Sequence, residues 1–549
     1  MEPAPPRVHI QLTALLVAAT VGLVVGFGPL ANRTSPVPVP RVDPTVQGAL
    51  TDAPSPSPSP SPPPEPTTAD TVVAAHVRHL VNVADVAGAD WAVSVRGADG
   101  QVILDHHGDD LLMPASTLKS LTAAAALLTF GPDHRFRTEA RVDGIVTAGG
   151  TLVGNLVLVG GGDPVLGSPA FHEWYPARPR THLEDLADSV VASGVRVVFG
   201  RVVGLDPVLV GPGLAAGWKD RYLWDFDARR IAGLTVDAGI RLTRGTALAV
   251  TAGGEEGLVG AVAEDPRLTA AHVFEAMLLA RGVRFAEPAI GQPDPVVVDG
   301  LTEALGVPPR SRSLGAVESP PLWRILRFMI EHSDNQLADT IARVVAADRV
   351  GDPTWAGITP AFVDVLAELG IEPDGLAVED GSGLSRSNRV SASVLAEVQA
   401  ALAAGELAPV WAEMQAVAGE RGTLRTWLRG TPAVGRFLGK TGTLDDVKGL
   451  TGTVWGPGET AFHLAVLVND AGAARGNVRV LMDQLVLTLG AALDGCMDLE
   501  SVGGLGAWAG GACPASAPTD QLVPQLPSEG PTDAASVAPP DVVERMPVP

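Results

Sequence analysis

Lysine is almost missing from this chain. Only Lys119, Lys219, Lys440 and Lys448 occur among 39 basic residues, and arginine has taken nearly every other cationic position. Arginine stays charged and cannot serve as a general base, whereas a desolvated lysine can, so the surviving lysines mark candidate chemistry. Cysteine is as scarce, with Cys496 and Cys513 alone. That excludes a disulfide-dense scaffold and a cysteine-rich zinc site. Positive charge is short overall: a net charge of −23 argues against nucleic acid and against an anionic membrane surface as partners. His106-His107 followed by Asp109-Asp110 resembles a metal cluster but reads better as the exposed end of a hairpin. Neither a metal nor a cofactor is expected. At 549 residues and 46% apolar content the chain can build two or three domains with cores.

Against this background three short motifs stand out: Ser116-Thr-Leu-Lys119, Ser333-Asp-Asn335 and Lys440-Thr-Gly-Thr443. A serine and a lysine three apart are common by chance. The three in this order are not, and two of the four lysines fall inside them. Together they supply a nucleophile, candidate bases or proton shuttles, and a cationic anchor for a carboxylate. Pro114 precedes Ser116, and Leu118 to Leu128 is rich in Ala and Leu, so Ser116 is expected at a helix start. On that helix Ser116 and Lys119 share one face. The positive end of the helix dipole would favour an alkoxide developing there.

The amino-terminal region has a different character. Leu12 to Phe27 is a 16-residue uncharged, apolar run flanked by Arg7, Arg33 and Arg41. Its length lies between a signal-peptide core and a spanning helix, and no clear small-x-small cleavage site follows. Residues 1–33 are therefore read as a membrane anchor, with a cleaved signal as the alternative, and the rest as exported. Residues 34–70 form a Pro-rich linker whose centre, from Ala53 to Pro66, favours extended polyproline II. Residues 496–549 are a Cys-containing segment and a Pro-rich tail. In an exported chain, Cys496 and Cys513 are expected to close a loop as a disulfide.

Between these ends, Trp91–Val95 and Val102–Asp105 read as a hairpin. From Arg135 to about Gly300 the texture is short Val- and Gly-rich runs, which suggests inserted, strand-rich material. Gly160-Gly-Gly-Asp-Pro164 lacks the lysine of a phosphate loop and reads as a tight turn. A helix with Leu322, Ile325, Leu326 and Met329 on one face precedes Ser333. Arg436–Lys440, Gly449–Val454 and Ala461–Leu467 read as an antiparallel meander closed by a helix over Val478–Leu493. The class is α+β, a sheet built from both ends of the domain and flanked by helices.

These motifs, with Gly160-Gly-Gly-Asp-Pro164 and Asp380-Gly-Ser-Gly-Leu-Ser-Arg386, make the chain resemble the class C low-molecular-mass penicillin-binding proteins from about Ala74 to Leu493. That family comprises the D-alanyl-D-alanine carboxypeptidases and endopeptidases of bacterial cell walls. The resemblance implies a penicillin-binding/serine β-lactamase-like domain split by a two-domain insertion. The catalytic parts are 71–135 and 306–495, with the insertion at 136–305. It implies Ser116 as the acylated nucleophile, Lys119 as its base, helped by the nearby charge of Lys440, and Ser333 as a proton shuttle. Asn335 would hold the substrate amide. Lys440, Thr441 and Thr443 would bind the terminal carboxylate, and the backbone N–H groups of Ser116 and Thr443 would form an oxyanion hole. Asp334 is expected to orient its loop, and Ser382, Ser385 and Arg386 to be structural. The partners implied are peptidoglycan peptides ending in D-Ala-D-Ala, with β-lactams as covalent inhibitors. A β-lactamase and a catalytically idle β-lactam-sensing module remain as alternatives.

Overall fold

The computed structural model describes residues 68–497, apart from 85, 87, 247–255, 292–311, 374 and 473–474. The apolar run Leu12–Phe27, nearly all of the Pro-rich linker, the tail and Cys513 lie outside the described residues. The first helix, Thr68–Val83, begins within the last residues assigned to that linker. Among the described residues no helix is long and apolar enough to cross a membrane.

Two separate pieces of chain make the main sheet. Its six strands run in the order Ala416–Val417, Phe437–Thr443, Lys448–Trp455, Ala461–Asn469, Asp90–Arg96, Val102–His106, and every neighbouring pair is antiparallel. The meander expected near the carboxyl end thus meets the amino-terminal hairpin, with Asp90 opposite Asn469 and Arg96 opposite His463. Ala461–Asn469 is buried along its whole length. It reads as a nearly unbroken apolar run because helices cover both faces of the sheet. Thr68–Val83 and Arg475–Leu493 pack on one face through Val73, Val77, Val478, Leu481 and Leu485. A larger core on the other face joins the helices Leu118–Phe130, Leu322–His332, Asn335–Val350, Ile358–Glu368 and Ala392–Ala404. Leu118–Phe130 is buried on all sides from Leu118 to Leu127. Its alanines let the surrounding helices close on it, as a helix apolar all round requires.

The insertion leaves and returns at one place. Phe136 N donates to Ser319 Oγ (2.9 Å), Ser319 N donates to Phe136 O (2.9 Å), and Arg137 pairs with Glu318 in the ladder. Inside it, Arg137–Val146 and Thr151–Val159 form a hairpin within a seven-stranded sheet. That sheet is mixed: Thr151–Val159 runs parallel to Val197–Phe199 and Val202–Leu205. Its last strand is Arg312–Glu318, which falls after the expected return to the catalytic part at 306. Two helices not anticipated from the sequence, Leu183–Ala192 and Pro266–Ala280, cover the sheet and share its core through Leu186, Val190, Phe274 and Leu278. Gly160–Pro164 is a turn, with Gly162 at φ 78° and Asp163 Oδ1 accepting from Val165 N at 2.9 Å. It packs against the helix Asn335–Val350: a Cβ on Gly162 would lie 2.9 Å from Val344 Cγ2.

One buried ion pair ties the sheet to the last helix. Arg436 donates to Trp455 O (2.9 Å) and to Asp494 Oδ2 (2.8 Å), and the two side chains are 1% and 5% exposed. Removing one partner strands a buried charge, which costs about 3–5 kcal/mol, whereas replacing both by apolar groups is far milder. Arg436→Met is expected to lower unfolding stability by that amount in guanidinium titrations, and Arg436→Met with Asp494→Leu to recover most of it. A single variant within about 1 kcal/mol of the parent would contradict this role.

Candidate active site

Ser116 lies in a tight turn, Ala115–Thr117, that runs into the helix Leu118–Phe130. Thr117 Oγ1 donates back to Pro114 O at 2.7 Å and fixes the turn, while Ala115 adopts φ 48°, rare for a residue with a side chain. Two glycines admit the neighbouring segments to this turn. A Cβ on Gly383, itself at φ 82°, would sit 1.8 Å from Ala115 O. A Cβ on Gly442 would lie 2.7 Å from Pro114 O and 3.2 Å from Ser116 N. Any side chain at either position would push the Asp380–Arg386 loop or the strand Phe437–Thr443 away from the serine.

Lys119 is fully buried one turn further along. Its Nζ lies 2.9 Å from Ser116 Oγ, 2.7 Å from Asn335 Oδ1 and 2.7 Å from Ser382 O. Asn335 Oδ1 and the Ser382 carbonyl can only accept. A neutral amine therefore gives them its two N–H groups, and its lone pair is left facing the hydroxyl of Ser116. Burial lowers the Lys119 pKa to about 8, against the upward pull of Asp339, Asp380, Asp334 and Asp227. The arrangement is one in which a lysine could serve as base to a serine nucleophile.

Asn335 is held from both ends. Its Oδ1 faces Lys119, and its Nδ2 donates to the backbone oxygen of Asp227, in the insertion, at 2.8 Å. Because that oxygen only accepts, it decides which end of the amide meets the lysine. Ser333 ends the helix Leu322–His332 in the left-handed region, φ 56°. Its hydroxyl is half-buried and, among the described residues, makes no hydrogen bond to Lys119. Asp334 caps the helix Asn335–Val350 by accepting from Leu337 N at 3.0 Å. Burial would raise its pKa, but Arg178, in direct contact, and Arg229, at 3.9 Å, overcome this and hold it at about 2. Arg178 also donates to Gln336 Oε1. The turn carrying Ser333 and Asn335 is thus clamped by the insertion.

On the opposite side, Lys440 is fully buried in the strand Phe437–Thr443, and its Nζ donates to Thr441 O at 2.8 Å. Among the described residues no carboxylate pairs with it. Burial and then the charge of Lys119 push its pKa well below the usual value. The two ammonium groups repel each other, but burial and not Lys440 is what lowers Lys119, so the help expected from the Lys440 charge is not seen there. An arriving carboxylate would relieve both penalties. Thr441 Oγ1 donates to Thr423 Oγ1 at 3.2 Å, and Thr443 Oγ1 accepts from Lys448 Nζ at 3.4 Å.

Ser116, Lys119 and Asn335 are in direct hydrogen-bonding contact, and Gly442 brings the Lys440 strand against the Ser116 backbone. Ser333 stands beside them without a bond to the lysine. Sequence reasoning missed the carbonyl of Ser382, the carbonyl of Asp227 and the clamp formed by Arg178 and Arg229. Asp-Gly-Ser-Gly signalled the Ser382 loop, but nothing local marks the other three. Among the described residues no group of His, Cys, Asp and Glu could hold a metal ion. Cys496 is not a free thiol, and its expected partner Cys513 lies outside the described residues.

The model of the D-Ala-D-Ala carboxypeptidase 3 (S13) family matches residues 73–259 and 254–489. A D-alanyl-D-alanine carboxypeptidase of Actinomadura sp. (strain R39) is 29% identical over 441 residues, covering 68% of this chain and 76% of its own. Carboxypeptidase DacB of Mycolicibacterium smegmatis is 31% identical over 377 residues, covering 66% and 72%. The crystal structure of penicillin binding protein 4 from Haemophilus influenzae has the same fold, with a TM-score of 0.61 and 22% identity over 75% of this chain and 97% of that one. With both segments of the family model matched across the catalytic parts and the insertion, the chain belongs to the D-Ala-D-Ala carboxypeptidase 3 (S13) family.

Proposed function

We propose that this protein is a serine D-alanyl-D-alanine carboxypeptidase acting on peptidoglycan stem peptides through an acyl-enzyme, and that β-lactams acylate it. The observation that carries the reading is the buried amine of Lys119, 2.9 Å from Ser116 Oγ with its other neighbours limited to acceptors. Lys119 takes the proton of Ser116 as the oxygen attacks the carbonyl of the penultimate D-Ala. The Ser116 and Thr443 N–H groups stabilise the oxyanion, worth roughly 3–4 kcal/mol per donor. Ser333 passes the proton to the leaving D-Ala, and water then releases the acyl group. Lys440, Thr441 and Thr443 receive the terminal carboxylate, and Asn335 the peptide amide. Endopeptidase cleavage of crosslinks begins with attack on the same carbonyl and differs only in the leaving amine. Muropeptide monomers and crosslinked dimers assayed side by side measure the balance.

The site is expected to work outside the cytoplasm, with Leu12–Phe27 as the anchor. Cell fractionation should find the protein in membranes with its first thirty or so residues present; soluble protein lacking them would mean a cleaved signal.

Benzylpenicillin should form a lasting covalent adduct on Ser116, and Ser116→Ala should abolish it. A label mapped elsewhere overturns the nucleophile, and rapid turnover of the adduct would mark a β-lactamase.

The two lysines should respond differently to the same substitution. Lys119→Arg keeps charge but cannot surrender a proton, so acylation should be lost. Lys440→Arg should retain part of the activity and Lys440→Ala less, since a charge-assisted hydrogen bond is worth about 1.5–3 kcal/mol, about a ten- to hundredfold effect. Blocking the substrate carboxylate should erase that difference. Because Lys119 must be neutral and its pKa is lowered to about 8, acylation should climb through pH 8 and fall about tenfold per unit below it. Acylation that is flat from pH 6 to 9 would remove Lys119 as the base.

A further inference from the structure

Beneath Lys119 lie two buried carboxyl groups, Asp339 and Asp380, which are 1% and 0% exposed. They are bonded quite differently. Asp380 accepts four donors: Gly383 N and Asn388 Nδ2 on Oδ1, both at 2.8 Å, and Ser385 N (2.6 Å) and Trp218 Nε1 (2.8 Å) on Oδ2. Its lone pairs are taken, which leaves no place for a proton. Among the described residues Asp339 accepts only on Oδ1, from Gly381 N (3.0 Å) and Ser382 N (2.8 Å), and its buried Oδ2 has no hydrogen-bond partner.

A bare, buried carboxylate oxygen is costly, and a second carboxylate close by makes it costlier. A proton on Asp339 Oδ2 removes the buried charge and the repulsion from Asp380. It also leaves Oδ1 free to hold the Gly381–Ser382 peptide, whose next carbonyl, Ser382 O, is one of the two acceptors orienting Lys119. Asn335, one turn earlier on the same helix, supplies the other.

We propose that Asp339 is a positioning residue for the acylation step, an uncharged carboxyl that fixes the Ser382 carbonyl and so aims the Lys119 lone pair at Ser116. Its neutrality matters as much as its shape. An ionised Asp339 would draw Lys119 toward the ammonium form, which cannot act as a base. Burial and Asp380 push the Asp339 pKa well above the usual range, against the opposing pull of Lys119. The other charged group facing it, Arg343 on its own helix, is tied to backbone oxygens, donating to Pro353 O (3.0 Å), Pro212 O (3.4 Å) and Val210 O.

The proposal rests on Lys119 as the base, and two readouts separate its failure from the failure of that reading. The first is the acylation rate by a fluorescent penicillin against pH in the full protein. Asp339→Asn, uncharged and able to accept on Oδ1, should acylate within about threefold of the parent with an unchanged pH midpoint. Asp339→Ala should lose about 10- to 100-fold in the acylation rate constant with initial penicillin binding unchanged, as misplacement of a catalytic group predicts. A midpoint lowered by about a unit in Asp339→Asn would show that a charge had been removed, and normal acylation by Asp339→Ala would remove the positioning role. The second readout needs no activity. At pH 8 Asp163 and Asp237, both pushed up to about 6 by burial, have ionised. The infrared difference between the parent and Asp339→Asn should then contain a carboxylic-acid C=O band, and its absence would overturn the proposal even if Asp339→Ala does not fold.

Discussion

An ammonium ion cannot be taken out of water cheaply, and Lys119 has been taken out of it entirely. Most of the surrounding architecture follows from that constraint. In its proposed role the amine sheds a proton near neutral pH, which requires it to be dry. Its lone pair faces one hydroxyl because its other neighbours are oxygens that only accept. Dryness comes from packing: the Ala-rich helix behind it is enclosed by helices and sheet, and glycines at 383 and 442 let two further segments close to contact. Carboxylates near the amine work against its neutrality, and the fold separates them by role. Asp380 is saturated with donors and Asp334 is neutralised by two arginines.

The insertion reaches into the candidate site. Arg178 and Arg229 hold Asp334, the Asp227 carbonyl fixes the Asn335 amide, and Trp218 donates to Asp380. The first three contacts end on Asp334 and Asn335, and the last on the loop whose Ser382 carbonyl meets Lys119. Burial alone would protonate Asp334 and weaken both its cap on Leu337 N and its grip on the arginines. With the cations present the carboxylate survives burial, and the turn carrying Ser333 stays in its left-handed conformation.

Much of the fold could be read in the residues. The hairpin, the Leu118 helix, the Leu322 helix and the carboxyl-terminal meander each carry a period and terminal signals, and each formed within a few residues of its expected bounds. The helix Pro266–Ala280 was missed although its start is marked, since Asp265 caps it and Pro266 opens it. Its alternation of Ala, Leu and charged residues was submerged in a Val- and Gly-rich region. Leu183–Ala192 was missed in the same way. The mixed sheet escaped because strand direction is set by crossovers, and no strand carries that information in its own residues.

Motifs survive in sequence because each is a short run whose side chains must keep fixed spacing on one turn or strand. Ser116 with Lys119, Ser333 with Asn335, and Lys440 with Thr443 are local in this sense, and the scarcity of lysine made two of them conspicuous. The sequence by itself therefore determined the candidate catalytic groups and the class of domain that presents them. What only the tertiary structure decided is the state those groups are in. The neutral tendency of Lys119, the orientation of Asn335, the charge of Asp334 and the place of Asp339 beneath the lysine depend on burial and on partners far away in the chain. Desolvation and electrostatics act through space, so no local pattern of residues records them.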